Sequence, residues 1–118
     1  MTNASTTEVK ADIGLTFSYL DGTTATRNTI VTNQITKAQR DIKDLVGTTT
    51  GLPHDRAIRN LADAYVVLNA MSNLDPNESN FEAFQRMQDA FMKKAEQALI
   101  KLGKSIDGIT IQFQQVNN

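Results

Sequence analysis

The chain has 118 residues, 40% of them hydrophobic, with 12 basic and 13 acidic side chains and a formal net charge of −1. That length suits one domain able to bury roughly two-thirds of its unfolded surface, and the near-neutral balance argues against a nonspecific nucleic-acid binder, which needs a basic excess. The absence of cysteine excludes disulfides, zinc–thiolate sites and thiol catalysis; with no signal peptide or membrane-spanning run in view, a soluble intracellular domain is expected.

Residues 1–7 are small and polar and read as a flexible arm. Ser5-Thr-Thr-Glu8 has the spacing of a capping box, and Val9, Ile13 and Phe17 line one face of a short first helix. Leu15–Leu20 fits two patterns, a continued helix or an alternating strand, before Asp21-Gly22 turns the chain. The second helix is capped by Thr23 or Thr24. Its stripe is Ile30, Val31, Ile35, Ala38, Ile42, Leu45 and Val46, and Gly47 stands in the C′ position.

A third helix is expected from His54 or Asp55 to Ser72. Leu61–Met71 is apolar almost all round, so this helix is central in the bundle or covered by a neighbouring subunit. Asp63 interrupts that surface, four residues after Arg59 and at pairing distance on a helix. After Asp75-Pro76-Asn77 the fourth helix runs from about Ser79 to Leu102, with Phe81, Phe84, Met87 or Gln88, Phe91, Ala95, Leu99 and Leu102 at helical spacing. Gly103 and Asp107-Gly108 end it.

The final residues change period. Ile109, Ile111 and Phe113 alternate with Thr110, Gln112 and Gln114, the pattern of a half-buried strand. A lone strand leaves N–H and C=O groups unpaired, so the segment Ile109, Ile111, Phe113 and Val116 is expected to pair with another polypeptide, or internally with Leu15–Leu20. Overall the fold expected is all-α, a bundle of about four helices over residues 8–104, with an extended C-terminal tail over 105–118.

No motif for catalysis emerges. His54, the sole histidine, reads as an exposed helix-start residue rather than a general base. Asp75-Pro-Asn-Glu-Ser79 imitates half a calcium loop, but Asn80 replaces the glycine and Arg86 the bidentate glutamate. Gly47-Thr-Thr-Thr-Gly51 lacks the lysine of a phosphate loop. Lys37, Arg40 and Lys43 form a short basic run on the second helix. Asp41 and Asp44 follow Lys37 and Arg40 at i+4, which favours a solvated or intersubunit charged face over a duplex-binding site. No enzyme, cofactor or metal is expected.

The order of features resembles a known family. Glu8-Val-Lys-Ala-Asp12 opens it and Ala38-Gln-Arg-Asp-Ile-Lys-Asp-Leu-Val-Gly47 closes the second helix. Arg56-Ala-Ile-Arg-Asn-Leu-Ala-Asp-Ala-Tyr65 follows, then Lys94-Ala-Glu-Gln-Ala-Leu-Ile-Lys-Leu-Gly103. Over roughly residues 6–105 this is similar to the small helical head–tail connector (adaptor) proteins of tailed bacteriophages. The resemblance implies a structural virion protein of the neck, built in the host cytoplasm as a homo-oligomeric ring, a dodecamer, beneath the portal protein. Such a ring extends the channel through which DNA passes without sequence-specific binding, and docks the stopper or tail protein. It implies that the tail engages the portal or a neighbouring subunit, and involves no membrane. Two other readings stay open: a small helical nucleic-acid-binding regulator using Lys37, Arg40 and Lys43, and another helical neck or head-completion protein.

Overall fold

The structure, a computed structural model, describes residues 5–47, 52–75, 77 and 79–104. Four α-helices make up the described part: α1 (Thr6–Ile13), α2 (Thr24–Val46), α3 (Leu52–Met71) and α4 (Ser79–Ile100). A 3₁₀ segment, Gly14–Tyr19, joins α1 to the turn before α2. The described residues contain no β-strand. The fold is therefore all-α, as the periodicity requires. The tail, residues 105–118 with Ile109, Ile111, Phe113 and Val116, lies outside the described residues.

The helix ends follow local chemistry. Ser5 Oγ accepts from the Glu8 N–H, and Glu8 Oε1 accepts from the Ser5 N–H, so two donors that a helix leaves without partners are satisfied reciprocally. The helix thus starts at Thr6, inside what the sequence reads as an arm over 1–7. Thr23 is the N-cap of α2, its hydroxyl accepting from the Thr26 N–H. Gly47 closes that helix at φ 92°, a left-handed conformation that glycine adopts without steric cost.

The Leu15–Leu20 segment resolves as neither α-helix nor strand. It continues from Ile13 with buried positions at Ile13, Thr16 and Leu20, a spacing of three to four rather than two. Leu15 consequently faces solvent, 84% exposed. Tyr19 anchors the segment: its ring meets Phe84 edge-on at 5.1 Å, its carbonyl accepts from Asn73 Nδ2, and its hydroxyl accepts from Asn80 Nδ2. The 3₁₀ segment is thereby fixed to the turn between α3 and α4.

The core sits around α3. Every residue from Leu61 to Val67 is buried, as are Ala70 and Met71. The helix packs most extensively on α4, next on α2, and also on α1 and the 3₁₀ segment. The apolar circumference of α3 is thus covered from within the chain, which answers the choice between a central helix and one capped by a neighbouring subunit. Val31, Ile35, Ala38 and Ile42 of α2, and Phe84, Phe91, Ala95 and Leu99 of α4, supply the facing surfaces.

Candidate functional site

The most concentrated polar chemistry lies where α1 crosses α3. Glu8 and Asp12 are one helical turn apart on α1, and both face Arg59 of α3. The Arg59 guanidinium donates through Nε and Nη2 to the two carboxylate oxygens of Asp12, each at 2.8 Å, and through Nη1 to Glu8 Oε2 at 2.9 Å. Glu8 therefore caps α1 with one oxygen and ties it to α3 with the other. The planar fork meeting a carboxylate in two parallel bonds is the strongest form of this contact. Burial tends to raise the Asp12 carboxyl, but the Arg59 hydrogen bonds outweigh it and hold the group below its ordinary value. Hydrogen bonding to Asp12 in turn raises Arg59.

Asp63 corrects a sequence expectation. It does not pair with Arg59, because Asp12 and Glu8 of another helix occupy the guanidinium. The Asp63 side chain is fully buried, and no N–H or O–H donates to either carboxylate oxygen. Burial, first, and then the neighbouring Asp12 carboxylate push its pKa up to about 10. At neutral pH Asp63 is therefore a neutral carboxylic acid beside the Asp12 carboxylate. A signal for this arrangement was present in the sequence. Two acidic residues at i, i+4 on one helix repel unless a cation lies between them, so Glu8 and Asp12 called for an arginine from elsewhere.

The charged run on α2 divides in two. Lys37 and Asp41 turn inward to Tyr65 of α3. The Lys37 Nζ lies 4.3 Å from the ring centroid, and the Tyr65 hydroxyl donates to Asp41 in a short hydrogen bond. Burial, with that bond, raises the Tyr65 hydroxyl above its ordinary value. Arg40, Lys43 and Asp44 are exposed. No ion pair within 4.0 Å forms between Lys37 and Asp41 or between Arg40 and Asp44, so the expected i, i+4 neutralisation is absent.

His54 is also corrected. It is buried, and both ring nitrogens lack a hydrogen-bond partner. With α3 starting at Leu52, His54 falls in line with Ala57, Ile58 and Leu61 on the inward stripe. No group of three or more metal-ligating side chains occurs among the described residues. Asp75, the start of the imitation calcium loop, instead accepts the Asn77 N–H through its own side chain, a local turn. No helix among the described residues is long and apolar enough to cross a membrane.

A trough opens between the start of α3 and the end of α4. Its larger basin is about 530 Å³, with Arg56 and Asn60 on one wall and Lys94, Gln97 and Lys101 on the other. Ala98 and Ile100 contribute apolar surface; Ile100 is 61% exposed. A second basin of about 420 Å³ shares Arg56, Asn60 and Lys94, and extends past Phe91 to Asp12 and Arg59. Arg56, Lys94 and Lys101 make no ion pair among the described residues. Sequence periodicity missed this feature, because the gap depends on how α3 and α4 lie against each other, which spacing within one helix does not report.

No family model, no curated protein and no solved structure matches this chain.

Proposed function

We propose that this chain is an assembly protein whose terminal segment Ile109–Val116 pairs with another polypeptide, and that its setting is the head–tail neck of a tailed bacteriophage. One observation carries the first half. Leu15–Leu20, the internal candidate for pairing, is a 3₁₀ segment locked to Tyr19 contacts, and the described residues offer no strand edge. An alternating segment then finds its edge on a second chain, by main-chain hydrogen bonds with Ile109, Ile111 and Phe113 filling alternate pockets.

The second half is supported by the order of residues set out above for the connector family. In that reading the bundle is a repeated block in a ring beneath the portal protein. Its neighbours are further copies of itself and the stopper or tail protein, and DNA passes through the ring. A duplex-binding regulator is less well supported, because Lys37 is engaged by Tyr65 and leaves Arg40 and Lys43 beside exposed Asp44. That rival predicts duplex binding that weakens steeply with salt.

The test is deletion of residues 109–118 from the full chain, followed by co-sedimentation with the portal protein that this reading assigns as its partner. The thermal unfolding midpoint should stay within a few degrees, since the buried core of the described residues runs from Val9 to Leu99, while attachment is lost. Undiminished attachment of the shortened chain overturns the pairing through Ile109–Val116.

A further inference from the structure

We propose that the trough between α3 and α4 is the resting seat of the chain's own residues 109–113, which shelter their apolar face there until a partner takes the free backbone edge. The trough and the segment match in length. From Phe91 to Lys101, α4 advances about 15 Å at 1.5 Å per residue, and both ends of that span line the basins. Ile109 to Phe113 spans about 13 Å at 3.3 Å per residue.

They match in connection too. The described chain ends at Lys104, three residues after Lys101 on the trough wall. Gly103, at φ 71°, follows the helix end, and Asp107-Gly108 is a turn-forming dipeptide in the sequence. A tether this short gives an effective concentration in the millimolar range. The chain's own segment therefore outcompetes a second copy in dilute solution.

Chemistry agrees with length. Ala98 lies in the trough lining, and Ile100 beside it presents an apolar surface that is 61% exposed among the described residues. Arg56, Lys94, Lys101 and Gln97 are donors, without hydrogen bonds or ion pairs to other described side chains, around that surface. An extended segment brings carbonyl oxygens that need donors, and Asp107 brings a carboxylate to the Lys101 end. Seating Ile109, Ile111 and Phe113 in this way leaves one backbone edge open for a partner to pair with first, and the partner's pockets then draw the three side chains out of the trough. The inference stands on the trough and survives if the neck setting is wrong.

Amide spectra of the isotope-labelled full chain test it. The double substitution Ile111→Asp/Phe113→Asp should shift the signals of Asn60, Gln97, Ala98 and Lys101, at every protein concentration and with unchanged helix content. Gln112→Asp/Gln114→Asp, on the opposite face, should leave them in place. Unshifted trough signals, equal shifts from both variants, or shifts that grow with protein concentration and so report a second copy, each overturn the proposal. Portal attachment that persists in the chain lacking 109–118, beside intact trough shifts, removes the strand-pairing reading and leaves this one standing.

Discussion

Asp63 is the residue whose chemistry departs furthest from its type. A raised carboxyl pKa means that the folded chain keeps a proton which the unfolded chain has already released. The resulting stabilisation is complete below the unfolded value of about 3.8 and drains away as the pH climbs towards about 10. The slope approaches about 1.4 kcal/mol per pH unit for one proton. Asp12 acts in the opposite sense: its stabilisation is present above the unfolded value and is lost as the pH falls through its lowered folded value. Asp63→Asn keeps a donor towards Asp12 and removes the titration. Its melting temperature should exceed the parent's at pH 9 and approach it at pH 5; parallel curves across that range would exclude a buried neutral acid. Arg59→Lys tests the other half of the cluster. It retains the charge but loses the fork, and a urea midpoint should report a loss of about 1–2 kcal/mol, limited because Arg59 stays partly exposed to solvent. The sequence placed Arg59 and Asp63 at pairing distance, yet spacing within one helix says nothing about competitors on another. Glu8 and Asp12 won because they reach the guanidinium from α1 while Asp63 points into the core.

At the scale of elements, what the sequence made legible was whatever depends on neighbours in the chain. The capping box at Ser5–Glu8, the α2 stripe, the Gly47 terminator and the encircled α3 all follow from local spacing and reappear in the structure. The segment Leu15–Leu20 was illegible because six residues are too few to separate periods of two and three. Contacts from Phe84, Asn73 and Asn80, distant in sequence, decided it. His54 was misread because a proline beside a histidine looks like a surface cap, whereas its register with Ala57, Ile58 and Leu61 makes it part of the buried stripe. Two leucines contrast the two kinds of position. Leu99→Ala removes a fully buried side chain at the α3–α4 contact and should cost about 2–5 kcal/mol in denaturant unfolding. Leu15→Ser, on an exposed position, should change stability by no more than about 0.5 kcal/mol. A comparable loss at both sites would mean that Leu15 faces the core.

For the whole molecule, the trough was the part that local reading could not reach, since it exists only where two helices meet and part. The tail was the reverse: its alternation was plain in the sequence, while the surface that receives it needed the packed bundle. One more consequence follows from the packing of α3 chiefly against α4, its successor in the chain. Joined by a short turn, these two helices can meet without closing a long loop, so their pairing is the fastest to form. The α1 helix reaches Arg59 across about fifty residues of chain, and its docking belongs late on the folding route. The Arg59 cluster then acts as a latch on escape rather than a guide to entry: weakening it accelerates unfolding and leaves the folding rate nearly untouched.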